Sequence, residues 1–196
     1  LLFTNGDQGG FDDTPRDQMG PLRQTEQRAA GGILGVKSFN FLNHRDGHLM
    51  PSVEKRGEVV KAIREIKPQR MLIQSPERNW ERIHASHPDH LAAGEIAMQA
   101  VYPDARNEFA FPELLQAGLE PWTVDEVWLM AHPVRTHYVD TTNFIEKKIE
   151  ALKAHTSQTS HMPLEQKIRE WGGFIAKEAG MAEGKTAEGF FIAATR

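Results

Sequence analysis

The chain has 196 residues, a formal net charge of −4 and no cysteine. That length supports a domain with a sizeable core, while the lack of cysteine excludes a disulfide framework and any thiolate metal site, so a metal here must be held by His, Asp or Glu. The mildly acidic balance gives no electrostatic reason to expect nucleic acid. No apolar run approaches the ~20 residues that span a bilayer, and no signal-peptide pattern is present, so a soluble, cytoplasmic protein is the expectation.

In chain order, Leu1 to Thr4 is a short apolar run closed by Asn5-Gly6, a strand with a turn signal. Asp7 to Asp17 is rich in Gly, Asp and Gln and reads as a surface loop. A helix is expected from about Met19 to Leu34, with Leu22, Glu26, Ala29, Ala30 and Ile33 at helical spacings and Gly35 as its stop. Val36 to Leu42 alternates as a strand, and Asn43 to Gly47 is a loop. Ser52 to Lys67 is a second helix, with Val59, Val60, Ile63 and Ile66 on one face and Pro68 beyond its end.

Met71 to Ile73 is the next strand, feeding a long loop from Ser75 to Ser86. Pro103 to Pro121 reads as irregular, Val124 to Met130 as a strand and Tyr138 to Asp140 as another. Asn143 and Glu146 have capping-box spacing ahead of Ile145, Ile149 and Leu152, an amphipathic helix. Pro163 to Lys177 is the last helix and Gly189 to Ala193 a closing strand. Strands alternating with helices imply an α/β, Rossmann-like three-layer sandwich with a mostly parallel sheet, in one domain over residues 1–196.

The stretch with most chemistry is Ser86-His87-Pro88-Asp89-His90-Leu91-Ala92-Ala93-Gly94, followed by the apolar-periodic Ile96, Ala97, Ala100 and Val101. Proline suits a first helical turn and aspartate suits the positive end of the helix dipole. The stretch therefore reads as a loop turning into a helix, with His87 and His90 at its mouth, where α/β proteins commonly build sites. His90 has the chemistry of a zinc ligand, Asp89 that of a carboxylate behind the ligands or in proton transfer, and His87 that of an acid or oxyanion partner. The plainer reading is a capped helix start bearing two surface histidines. His44, His48, His132 and His137 read as loop or surface residues, and Trp128 as a core residue.

His-Pro-Asp-His-x-x-Ala-Gly, preceded by Thr4-Asn5-Gly6-Asp7-Gln8-Gly9, resembles the LmbE-like (PIG-L) family of zinc-dependent N-deacetylases. Arg23-x-x-Glu26 with Ala29-Ala30 and Leu34-Gly35-Val36, the Arg45-Asp46-Gly47-His48-Leu49 turn, and the run from Val139-Asp140-Thr141 to His155-Thr156-Ser157-Gln158 agree with it in order. The resemblance implies that His90 ligates Zn2+, that His87 stabilises the tetrahedral oxyanion or donates a proton with Asp89 orienting it, and that Arg23 and Asp46 contact hydroxyls of an N-acetylglucosaminyl substrate. The implied reaction is removal of acetyl from a small N-acetylated aminosugar by metal-activated water. Arg23 and Glu26 also have the spacing of a local ion pair, and Asp46-Gly47 is an ordinary turn dipeptide.

The family's other signature, His-Pro-Asp-Asp, is absent from these residues. The expectation is a member lacking its first strand and helix, with weak zinc binding and no acetate release of its own. The competing reading is a non-catalytic α/β binding domain that keeps the substrate pocket. Nucleotide binding is disfavoured, because Gly6 and Gly9-Gly10 do not make Gly-x-Gly-x-x-Gly. A homo-oligomer is compatible with the sequence, which does not name the natural substrate.

Overall fold

The computed structural model describes residues 1–11 and 13–196. The chain divides into two compact units, Leu1–His48 with Tyr138–Gly189, and Leu49–His137 with Phe190–Arg196.

In the first unit, β1 (Leu2–Thr4) runs parallel to β2 (Phe41–His44). Between them lies α1 (Arg16–Leu34), which ends where Gly35 takes a left-handed backbone at φ 80° and returns its N–H to the carbonyls of Gly31 and Gly32. α1 starts before Met19, with Pro15 at the cap position. The strand expected from Val36 begins only at Phe41. The Val36 N–H closes back on Gly31 O at 2.9 Å, and the Phe39 ring fills the space over Gly31, where an added Cβ would lie 2.2 Å from Cζ. The residues from Val36 to Phe39 thus pack on a helix end rather than pairing in a sheet.

The same unit holds α5 (Ile145–Lys153), α6 (Thr156–Thr159) and α7 (Leu164–Glu178). α5 packs on both α1 and α7, burying Ile145, Ile149 and Ala151. The expected capping box does not form. A 3-10 turn over Thr142–Phe144 leads into α5, whose cap position is Phe144, and Glu146 instead meets Arg169 at 2.6 Å.

In the second unit, α2 (Val53–Ile66) is capped by Ser52, whose hydroxyl accepts the Lys55 N–H at 3.3 Å. β3 (Arg70–Gln74) and β4 (Glu126–Met130) pair in parallel in continuous register from Arg70↔Glu126 to Gln74↔Met130. α3 (Pro88–Val101) lies on β3 and α2, and Ile96, Ala97, Ala100, Val59, Val60 and Ile63 are buried. Two helical pieces occupy the stretch expected to be irregular, a 3-10 turn at Asp104–Arg106 and α4 (Pro112–Gln116). Their anchor is Arg64, 1 % exposed, which donates to the carbonyls of Asp104, Ala105, Asn107 and Ala110. Burial lowers the guanidinium pKa, opposed by Asp104, Glu113 and Glu120.

The mostly parallel sheet is corrected to a mixed one. β6 (Ala187–Ala194) runs antiparallel to β4, with Glu126 opposite Ala194 and Leu129 opposite Phe191, and its other neighbour is β5 (His137–Asp140). Alternation fixes strand direction only where one crossover helix joins neighbouring strands. Between β4 and β6 the chain passes through β5 and α5 to α7, so β6 is free to return reversed. No helix among the described residues is long and apolar enough to cross a membrane.

Candidate functional site

In the second unit the site is the mouth of α3. Pro88 occupies the first helical position, where no N–H is needed. His87 is the cap, and its Nδ1 accepts the Asp89 backbone N–H at 3.2 Å. A neutral imidazole whose Nδ1 accepts carries its proton on Nε2. His87 is therefore set up as a donor through Nε2. Asp89 is buried, and its Oδ1 accepts the Leu49 N–H at 3.1 Å. The His87 and His90 rings are both exposed, with centroids 5.4 Å apart.

The close seating of this helix depends on Gly94. A Cβ there would lie 2.5 Å from Gln74 O and 2.7 Å from Pro76 N, so α3 meets the carboxyl end of β3 backbone to backbone. The loop between them is tied by its own polar groups. Ser75 Oγ accepts Glu77 N–H at 3.0 Å, Ser86 Oγ accepts Asn79 N–H at 2.8 Å, and Asn79 Oδ1 accepts Arg82 N–H at 3.0 Å.

At the end of β4, Ala131 adopts φ 57° and turns His132 inward. His132 lies in a loop as expected but not on the surface. It is 6 % exposed, stacks on Phe191 at 4.3 Å, and brings Nε2 to 3.5 Å from Glu77.

In the first unit, Arg23 and Asp46 meet one loop, residues 5–9, which leaves the carboxyl end of β1. Asp46 Oδ2 accepts the Gln8 N–H at 3.2 Å, and the Asp46 N–H donates to Asp7 Oδ1 at 3.3 Å. Arg23 is buried, and its Nη1 and Nη2 lie 3.6 and 3.5 Å from where Cβ atoms would stand on Gly6 and Gly9. These are ordinary contact distances, which place the guanidinium against the loop, and Gly6 at φ 65° needs a left-handed backbone. Gln24 Nε2 bridges Asn5 Oδ1 at 2.9 Å and Asn43 Oδ1 at 2.8 Å, joining the residue just after β1 to the end of β2.

Glu26 is not the partner of Arg23. Its carboxylate accepts Ser157 N–H at 2.6 Å and Ser157 Oγ–H at 2.7 Å. His155, just before α6, lies in the field of this group. Burial lowers its pKa, Glu26 raises it and Arg23 lowers it further. Spacing alone gives Glu26 only a local ion pair with Arg23, gives Asn5 and Asn43 only turn and loop positions, and assigns nothing to Gln24 or Ser157. The shared position of Asn5 and Asn43, each one step beyond or at the end of a short apolar run, was the available signal.

The residues present do not by themselves fit a catalytic zinc. Such a site takes three protein ligands and an open position, and among the described residues no group of three or more His, Asp or Glu is placed to hold a metal ion.

The family described as PIG-L, GlcNAc-PI de-N-acetylase, matches residues 1–101. The diacetylchitobiose deacetylase of Thermococcus kodakarensis is 31% identical over 159 residues, 81% of this chain and 58% of that protein. A probable N-acetyl-alpha-D-glucosaminyl L-malate deacetylase 2 of Bacillus anthracis is 27% identical over 151 residues, covering 73% of this chain and 58% of its own length. The chain thus spans 58% of the length of these curated relatives. Among solved structures, the N,N'-diacetylchitobiose deacetylase from Pyrococcus horikoshii, in complex with its inhibitor MPG, superposes with TM-score 0.87 at 27% identity, over 98% of this chain and 71% of that one.

Proposed function

We propose that this chain, which belongs to the PIG-L family of GlcNAc-PI de-N-acetylases, acts in removing the acetyl group from an N-acetylated aminosugar. The observation that carries the reading is the state of His87. With Nδ1 accepting from the Asp89 N–H, Nε2–H is the atom available to an amide carbonyl oxygen as it gains negative charge. Donors preset toward such an oxygen supply a large share of acyl-transfer catalysis. Asp89 fixes the backbone around this cap by holding the Leu49 N–H.

Arg23 and Asp46 serve the sugar. A guanidinium offers a rigid fork of donors to hydroxyl or carbonyl oxygens, and Asp46 retains acceptor capacity beyond the bond from Gln8. The relatives named for diacetylchitobiose and for an N-acetylglucosaminyl malate support an N-acetylglucosaminide as the substrate class. Zinc belongs to the same reading, with His90 as one ligand. The described donors fall short of a full set, and no step is derived through the metal. That shortfall favours, as the second reading, a binding domain that holds the sugar without cleaving it.

Titration of the protein with an N-acetylglucosaminide, followed by NMR and by acetate release, tests both. Saturable binding that is lost in Arg23→Ala is expected, and acetate release that falls in His87→Ala selects the deacetylase. Binding without any acetate release selects the second reading, and failure to bind the sugar at all overturns both.

A further inference from the structure

Arg23 and Glu26 stand one turn apart on α1, at a spacing where opposite charges ordinarily pair. Both are buried, at 9 % and 7 % exposure, where an ion pair would be strongest. Yet each Glu26 oxygen accepts a short hydrogen bond from Ser157, 131 positions further along the chain. Arg23 Nε is buried and makes no hydrogen bond, while Nη1 and Nη2 face Gly6 and Gly9. A buried guanidinium donor left unbonded is costly, so something must prevent it from taking the carboxylate beside it.

We infer that Ser157 is a positioning residue, clamping Glu26 away from Arg23 so that the Arg23 donors stay free for a ligand oxygen. This rests on the reading of Arg23 as a sugar-contacting residue. Glu26 supplies a negative charge near Arg23 without occupying its N–H groups. That both charges act on His155, the residue two before Ser157, puts them in one neighbourhood. Removing the Ser157 hydroxyl frees Glu26 Oε2, and Arg23 is then the donor one helical turn away.

The test compares Ser157→Ala and Ser157→Thr with the unmodified chain. One readout needs no ligand: the 15N signal of the Arg23 Nε–H group and the rate of rotation about its Cζ–Nε bond, both of which report ion pairing. In Ser157→Ala the signal is expected to shift and the rotation to slow, and in Ser157→Thr, which keeps the hydroxyl, neither changes. Adding Glu26→Gln to Ser157→Ala should restore the unpaired signal. The second readout is N-acetylglucosaminide affinity, expected to fall about tenfold in Ser157→Ala, as for loss of a charge-assisted hydrogen bond. An Arg23 signal unmoved by Ser157→Ala overturns the clamp whatever the sugar does. A signal that moves in a protein that binds no N-acetylglucosaminide upholds the clamp and overturns the aminosugar reading instead.

Discussion

The Asp89 carboxylate accepts the backbone N–H of Leu49 at 3.1 Å, and both residues are buried. A buried N–H that loses its acceptor costs about 1–3 kcal/mol. Asp89→Ala should therefore lower stability by about that amount, and Asp89→Asn by less, because its amide oxygen can still accept. Urea unfolding of the two variants measures the difference.

His87 caps α3, and in the proposed deacetylation it also serves as the oxyanion donor; two variants separate these tasks. His87→Ala removes the helix cap and should cost about 1 kcal/mol. His87→Asn keeps an efficient cap residue but has no imidazole donor. Both should slow acetate release by about 10²–10³, the usual effect of losing an oxyanion donor, while only the alanine variant shifts the unfolding midpoint.

Gly94 and Gly32 make an opposed pair. A Cβ on Gly94 would lie within 2.9 Å of three backbone atoms of Gln74 to Pro76, whereas one on Gly32 meets nothing within 4 Å. Gly94→Ala should destabilise by about 1–3 kcal/mol through overpacking. Gly32→Ala, near the end of α1, should stabilise by up to about 1 kcal/mol from helix propensity. Denaturant midpoints of opposite sign are the expected result.

Arg64→Met should cost about 3–5 kcal/mol, the scale for removing one partner from a buried charged network. It would leave the carbonyls of Asp104, Ala105, Asn107 and Ala110 without this donor. Hydrogen exchange should show the loss concentrated in residues 104–116, with the amides of β3 protected.

His155 makes stability depend on pH. Its pKa in the folded chain lies below the ordinary 6.5, so between those values the unfolded chain binds more protons. Stability is then full above about pH 6.5 and declines as the pH falls toward the lowered value. His155→Gln should remove that part of the slope. The check is the difference in urea midpoint between the two proteins from neutral to mildly acidic pH.

The local signals were legible in the sequence where one element decides its own form. The Val59, Val60 and Ile63 stripe, the Pro88-Asp89 helix start and the Gly35 stop each state a short-range preference that the structure keeps. Ile66, on the same expected stripe, is 68 % exposed because it is the last residue of α2. What could not be read depends on distant partners. The two helical pieces between Asp104 and Gln116 exist because a side chain from α2 supplies their donor, and the reversed direction of β6 is set by its neighbours in the sheet. The candidate site divides in the same way. Residue types and order pointed to Arg23, Asp46, His87, Asp89 and His90, but the bond that makes Asp89 structural and the one that occupies Glu26 reach 40 and 131 positions along the chain.

Each compact unit is assembled from two separate stretches, so the chain passes between them at 48/49, 137/138 and 189/190. A protease cut at 48/49 splits only the first unit, one at 189/190 only the second and one at 137/138 both, and no single cut releases either unit free of residues of the other. Synthesis meets the same constraint. The unit that begins at Leu49 cannot pair β4 with β6 until residues 190–194 have left the ribosome, after all of the other unit has emerged. Neither half can be expressed as one uninterrupted segment; isolating one would require a redesigned linker across the gap.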